Sequence, residues 1–101
     1  MNAVERLWRA LAAKDWGAAR AQFRAHATVE WPHEDARLDV DEYLARLRSR
    51  TADRAEVRRV VTEGRYVAVE ARVGSARCAG FYDLHEGLIA SATEYWVGEA
   101  D

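Results

Sequence analysis

The sequence predicts an α+β fold in which a curved, mostly antiparallel sheet wraps around helices from the first half of the chain. Apolar residues recur at helical spacing in the first fifty residues. The last third, from Val67 to Val97, contains three consecutive strand-like stretches. Short glycine-containing joints separate them, at positions 74–75 and 85–87. The predicted order is α-α-β-α-β-β-β-β, in one domain spanning residues 1–101.

Two helices are predicted at the start of the chain. Asn2, with Glu5 three residues later, forms a capping box for the first helix, whose apolar stripe is Val4, Leu7, Trp8 and Leu11. Asp15 caps a shorter second helix, which carries Trp16, Ala19 and Phe23. His26 is expected to end this helix, because the helix dipole favours a histidine at the C-terminus. The two helices should form a hairpin with a shared apolar side.

A strand and a third helix are predicted next. Residues 26–32 alternate as a half-buried strand does, with Ala27, Val29 and Trp31 on one face. Pro32 ends this strand, and a polar turn follows at residues 33–35. Asp39 and Glu42 resemble a second capping box. The helix that it opens runs from Val40 to about Arg50, with an apolar stripe of Val40, Tyr43, Leu44 and Leu47.

Four further strands complete the predicted sheet, after a loop at residues 51–55. The first covers residues 56–62, and the second covers 66–73 with Val67, Val69, Ala71 and Val73 on one face. In the third strand, alternation groups Cys78, Gly80, Tyr82 and Leu84. In the last strand, it sets Ala90, Ala92, Glu94 and Trp96 opposite Ile89, Ser91, Thr93 and Tyr95.

Composition excludes several classes of function. With 17 acidic and 15 basic residues the chain is slightly acidic, so a polyanionic partner such as nucleic acid is not expected. Six arginines at positions 46, 48, 50, 54, 58 and 59 fit the solvated faces of a helix and a strand. The single cysteine, Cys78, reads as a buried packing residue in a reducing, cytoplasmic location. No stretch is apolar enough for a membrane span. Three scattered histidines predict no metal site, and no cofactor is predicted.

Four motifs occur in the order and spacing of one superfamily. They are W-R-A-L-A-A-K-D-W at 8–16, A-T-V-E-W-P at 27–32, F-Y-D-L-H-E-G-L-I at 81–89 and A-T-E-Y-W at 92–96. The chain resembles the nuclear transport factor 2-like superfamily, in particular its SnoaL-like and ketosteroid-isomerase-like members. The resemblance implies a cone-shaped sheet with a pocket at its wide end, and a homodimer formed through the outer sheet face. The superfamily includes enzymes and members without catalysis, so the fold does not decide the function.

The resemblance does not extend to the known catalytic residues. Trp31 stands where ketosteroid isomerases have their general base, Leu7 stands at their oxyanion-hole tyrosine, and Gly80 lies near their second aspartate. Glu94 stands at the position of one active-site aspartate of the limonene-type epoxide hydrolases. The arginine and the other aspartate of those enzymes fall near two apolar residues, Ala71 and Val73. Neither mechanism is therefore expected here.

Glu94 is the strongest candidate for acid–base chemistry, because the resemblance turns its face of the strand inward, toward aromatic residues. Burial there would raise its pKa and make it a proton carrier near neutral pH. His33, just past the first strand, is a candidate partner. The alternative for Glu94 is an outward side chain, in water or paired with Arg72 or Arg77. The candidate pocket walls are Trp8, Trp31, Tyr43, Tyr82 and Trp96.

Three functions remain open from the sequence. The chain is predicted to bind a small apolar or aromatic molecule in an aromatic pocket. The first alternative is an enzyme of the polyketide cyclase, isomerase or dehydratase type, with Glu94 as general acid or base. The second is a non-catalytic dimerisation module that uses Tyr66, Phe81 and Tyr95 on an exposed sheet face.

Overall fold

One six-stranded mixed sheet curves around three helices in the computed structural model, which describes residues 1–50 and 54–98. The helices are α1 (Ala3–Ala13), α2 (Trp16–Arg20) and α3 (Val40–Arg48). The strands are β1 (Phe23–Trp31), β2 (Ala36–Asp39), β3 (Ala55–Glu63), β4 (Tyr66–Val73), β5 (Ala76–His85) and β6 (Leu88–Val97). A short 3₁₀ turn, Pro32–Glu34, joins β1 to β2. The predicted α+β class is confirmed.

The sheet has the strand order β2-β1-β6-β5-β4-β3. Its pairs are antiparallel except for β1 and β6, which run parallel. The strand that comes last in the sequence order therefore lies near the middle of the sheet, between β1 and β5. Within the described residues, no helix is long and apolar enough to cross a membrane.

Both predicted capping boxes are confirmed. At the start of α1, Asn2 Oδ1 accepts the backbone N–H of Glu5, and Glu5 Oε1 accepts that of Asn2, each at 2.9 Å. At the start of α3, Asp39 and Glu42 make the same reciprocal bonds at 2.8 and 3.0 Å. These bonds satisfy backbone donors that a helix start leaves without partners.

The second helix is shorter than predicted. It ends at Arg20, and both Phe23 and His26 belong to β1, so the expectation that they lie in α2 is wrong. Phe23 has helical spacing from Ala19, but its backbone pairs with Ile89 of β6. Ladder pairing with a central strand outweighs the weak helical preference of a five-residue segment. The short strand β2 was also not predicted.

β6 contains a bulge, so the predicted face of its first residues is wrong. Asp83 pairs with Ser91 and Leu84 pairs with Ile89, which leaves Ala90 as an extra residue. Ile89 is therefore buried on the same face of the sheet as Glu94, whereas alternation alone predicts the opposite face. The predicted loop at 51–55 falls mostly outside the described residues, and Ala55 already begins β3.

The concave face of the sheet and the helices enclose the core, but coverage is incomplete at β3. Val57 and Val60 pair with the buried residues Ala71 and Val69, so they lie on the concave face. Val57 is nevertheless 39% exposed, since α1 covers this edge only in part. The structure is thus open where α1 meets β3.

Candidate functional site

Glu94 is completely buried and is the only buried charged side chain among the described residues. Its Oε1 accepts the indole N–H groups of Trp31 and Trp96, both at 3.2 Å. Its Oε2 accepts the hydroxyl groups of Tyr43 at 2.8 Å and Tyr82 at 2.5 Å. The alternative of an outward glutamate, in water or paired with an arginine, is therefore excluded.

Four separate elements bring these donors to Glu94. Trp31 ends β1, and the parallel register of β1 and β6, with Glu30 beside Thr93, places it next to Glu94. Tyr43 projects from the apolar stripe of α3, and Trp96 lies two residues beyond Glu94 on the same face of β6. Tyr82 comes from β5. Its hydroxyl also accepts the indole N–H of Trp8 from α1, at 3.1 Å.

Gly80 makes room for this arrangement, a role that sequence reasoning missed. It pairs directly with Glu94 across β5 and β6. A Cβ at this position would lie 2.4 Å from the hydroxyl oxygen of Tyr82 and less than 3.0 Å from two of its ring carbons. The Tyr82 ring thus lies over the glycine. A glycine in the middle of a strand is the sequence signal that points to such close contact.

The five aromatic residues around Glu94 also pack on one another. The Trp31 ring lies 6.0 Å from that of Tyr43 and 6.1 Å from that of Trp96, both in edge-to-face orientation. Trp8 and Trp96 are 6.4 Å apart between ring centroids. Aromatic pairs of this geometry add about 0.5–1.5 kcal/mol beyond area burial. We call Glu94 with Trp8, Trp31, Tyr43, Tyr82 and Trp96 the Glu94 cluster.

Two arginines cover the outer faces of the tryptophans that bind Glu94. The Arg46 guanidinium lies 5.6 Å from the ring centroid of Trp31, and that of Arg50 lies 5.7 Å from the ring centroid of Trp96. A cation over the face of an indole is attracted by its ring quadrupole. Each indole thus has a positive charge on its face while its N–H donates to the carboxylate.

The hydrogen bonds suit an ionised carboxylate, since four donors meet its two acceptor oxygens. Burial raises the pKa of Glu94 above its ordinary value, and the hydrogen bonds from Tyr82, Tyr43, Trp31 and Trp96 oppose that rise. Burial also raises the pKa of both tyrosines, so their hydroxyls stay protonated as donors. Burial likewise raises the pKa of the Cys78 thiol, as expected for a packing residue.

His33 lies apart from these bonds. It is exposed on the turn after β1, with its ring 5.6 Å from that of Trp31 and its Nε2 3.6 Å from a Glu34 carboxylate oxygen. None of the hydrogen bonds described for Glu94 goes to His33. The structure therefore brings five of the seven predicted site residues together around Glu94 and leaves this histidine outside.

Two adjoining clefts open beside the Glu94 cluster. The wide cleft, of about 300 Å³, lies between α1 and the concave face of β3 and β4, with Val4, Trp8, Val57, Val60 and Val69 among its walls. The narrow cleft, of about 20 Å³, lies between Trp8, Trp16, Trp96, Leu47 and Arg50. Trp8 and Ala55 line both. Among the predicted pocket walls, Trp8 and Trp96 reach these clefts, while Trp31, Tyr43 and Tyr82 do not line them.

The architecture defines the class: the chain has the nuclear transport factor 2-like, cystatin-like fold, as the resemblance implied. It is similar to an NTF2-like protein of unknown function from Burkholderia xenovorans, with 24% identity and a TM-score of 0.82 over 96% of this chain and 81% of that one. It also matches IdmH, a proposed polyketide cyclase from Streptomyces antibioticus, with 15% identity and a TM-score of 0.81 over 93% and 88% of the two chains.

A third similar structure has a bound small molecule. This protein from Catenulispora acidiphila has a ketosteroid isomerase-like fold and is in complex with trimethylamine. Its identity is 16% and its TM-score is 0.76, over 92% of this chain and 83% of that one. No family model and no curated protein matches the sequence. At these identities the similarity shows the fold alone.

Proposed function

We propose that this protein binds a small apolar molecule in the wide cleft, with Trp8 as the aromatic wall, and that binding rather than catalysis is its function. The observation that carries the proposal is the cleft itself. Its volume of about 300 Å³ is at the lower end of the range for ligand sites, and its walls are mostly apolar. Val57 and Val60 remain there without full cover from α1.

The state of Glu94 favours binding over catalysis. A general acid or base must come within hydrogen-bond reach of its substrate. Glu94 has no exposed surface, and protein donors already occupy both of its oxygens. The enzyme alternative would require the Glu94 cluster to open. In the binding proposal, the other residues of the cluster instead hold Trp8 in place as a wall of the wide cleft.

1-Octanol is a suitable neutral probe for this proposal. Calorimetric titration should show saturable binding. Val57→Asp, which puts a charge in the wide cleft, should weaken binding at least tenfold, about 1.4 kcal/mol. Val97→Asp is the matched control, because this exposed valine at the end of β6 lines neither the wide cleft nor the groove on the outer sheet face. Equal effects of the two variants, or no saturable binding, would contradict the proposal.

The outer sheet face supports a second function, assembly into a homodimer. Val61, Tyr66, Phe81 and Tyr95 are 46–56% exposed there, and the first three line a groove of about 360 Å³ together with Thr93. The Phe81 and Tyr95 rings are 6.1 Å apart, edge to face. Large exposed apolar patches usually mark interfaces. We infer that two copies of the chain pair through this face.

Light scattering tests the homodimer. The unmodified protein should have twice the chain mass of 11.4 kDa at micromolar concentration. Phe81→Arg should yield a monomer, because two copies would then bring unpaired charges together at the centre of the interface. Arg77→Ala, an exposed change near the end of the same strand, is the control. A monomeric unmodified protein would reject the interface.

A further inference from the structure

The charged residues at the two clefts are mostly basic, although the chain carries a net charge of −2. The wide cleft has Glu5 and Arg9 at its rim, and the narrow cleft has Lys14 and Arg50. Glu5 Oε1 is engaged in the capping box, where it accepts the backbone N–H of Asn2. The narrow cleft therefore combines three tryptophans with two basic side chains, and none of the described residues in its lining is acidic.

Arg50 differs from three other arginines of the arginine-rich stretch. Arg46, Arg58 and Arg59 each form an ion pair, with Glu34, Glu56 and Glu70 respectively. Within residues 1–50 and 54–98, Arg50 forms no ion pair, and its guanidinium lies over the Trp96 ring inside the narrow cleft.

The sizes of the clefts assign different parts of a ligand to each. The narrow cleft, at about 20 Å³, has room for a group near the size of one water molecule. The wide cleft is large enough for an alkyl chain or a ring. Both clefts share Trp8 and Ala55, so a head group at the mouth of the narrow cleft would lie next to a tail in the wide cleft.

We propose that the ligand is an apolar carboxylate, whose tail occupies the wide cleft and whose carboxylate, which is too large for the interior of the narrow cleft, binds Arg50 at its mouth. This inference rests on the proposed function and names the chemical class of its ligand. The guanidinium turns from the Trp96 ring toward the carboxylate, with which it can make two parallel hydrogen bonds.

Three probes with one tail and different head groups test the inference: octanoate, 1-octanol and octyltrimethylammonium. In calorimetric titrations at low ionic strength, octanoate should bind about tenfold more tightly than octanol, and the cation more weakly than octanol. Arg50→Gln should remove the preference for octanoate and leave the affinity for octanol unchanged. Arg50→Lys, which keeps the charge but not the fork of donors, should retain part of it.

Arg48→Gln is the matched control, since this exposed arginine of α3 lines neither cleft and should leave all three affinities unchanged. Equal binding of octanoate and octanol would overturn the carboxylate inference while supporting the apolar site. Tighter binding of octyltrimethylammonium would also overturn it, in favour of a cationic ligand. Failure of all three probes to bind would reject the proposed function itself. A preference that survives in Arg50→Gln would show that Arg50 does not hold the head group.

Discussion

Replacement of Glu94 by alanine is expected to lower the free energy of unfolding by on the order of 4 kcal/mol. The change leaves two indole N–H groups and two tyrosine hydroxyls without their acceptor, and each buried donor without a partner costs about 1–3 kcal/mol. Loss of the buried charge offsets part of this cost. Because domains of this size are stable by only about 5–15 kcal/mol, the variant should be marginally folded.

Denaturant unfolding measures this effect, and Glu70→Ala is its control. Glu70 lies on β4 of the same sheet, half exposed, and its contact is an ion pair with Arg59 at 3.0 Å. Surface pairs of this kind contribute about 0–1 kcal/mol, so the control should stay close to the unmodified protein. If the two variants lost the same amount of stability, the hydrogen bonds of Glu94 would contribute no more to the free energy of unfolding than a surface ion pair.

The stability of the protein should also depend on pH through Glu94. The pKa of Glu94 is higher in the folded than in the unfolded chain, so the folded state holds its proton to higher pH. The contribution of Glu94 to stability is therefore greatest below its ordinary pKa near 4.5 and declines as pH rises through the folded-state pKa. Measured against Glu94→Gln, which does not titrate, the unmodified protein should lose relative stability as pH rises. A gain in relative stability with pH would mean that the four hydrogen-bond donors lower the pKa of Glu94 by more than burial raises it.

Gly80→Ala is the second change with a large expected effect. It should lower the stability of the fold, which is the opposite of its usual effect in a strand. In the middle of a strand, alanine is ordinarily more stable than glycine by about 0.5–1 kcal/mol. Here the new Cβ would collide with the Tyr82 ring and displace the hydroxyl that joins Trp8 to Glu94. Overpacking costs about 1–3 kcal/mol, and a lost hydrogen bond to a charged group adds about 1.5–3 kcal/mol. We expect a net loss of roughly 3 kcal/mol.

A double-mutant cycle isolates the cause of this loss. In a Tyr82→Ala background the ring is gone, so Gly80→Ala should be neutral or stabilising. Unfolding free energies of the four proteins give the coupling between the two positions, and near-ultraviolet circular dichroism reports whether the aromatic packing changes. Stabilisation by Gly80→Ala in the unmodified protein would show that the ring does not need the glycine.

The fold class and the residues of the Glu94 cluster could largely be predicted from the sequence. Alternation along β6 placed Glu94 and Trp96 on one face, and the helical stripe of α3 included Tyr43, because each pattern is local. The order of the motifs then supported the superfamily. Local periodicity therefore accounts for which side chains turn inward.

What sequence reasoning missed depends on contacts between distant segments. The placement of Phe23 depends on its pairing with β6, and the burial of Ile89 depends on a bulge opposite β5. The convergence of four donors on Glu94 depends on the registers of β1, β5 and β6 and on how α3 packs against them. Whether a cavity remains beside an aromatic cluster depends on how side chains fill it, and spacing in one chain does not contain that information.

The position of β6 has a consequence for folding. This strand lies between β1 and β5, and its Glu94 bonds Trp31 from 63 positions earlier in the chain. On the ribosome, the first half of the domain must wait for β6 before β1 acquires its central neighbour and the Glu94 cluster closes. Contacts of such long sequence separation slow folding, since the loop must close before they form. The fold is therefore complete only after β6 has been synthesised, and partial chains that lack β6 leave Trp31 and Tyr43 available to chaperones and to aggregation.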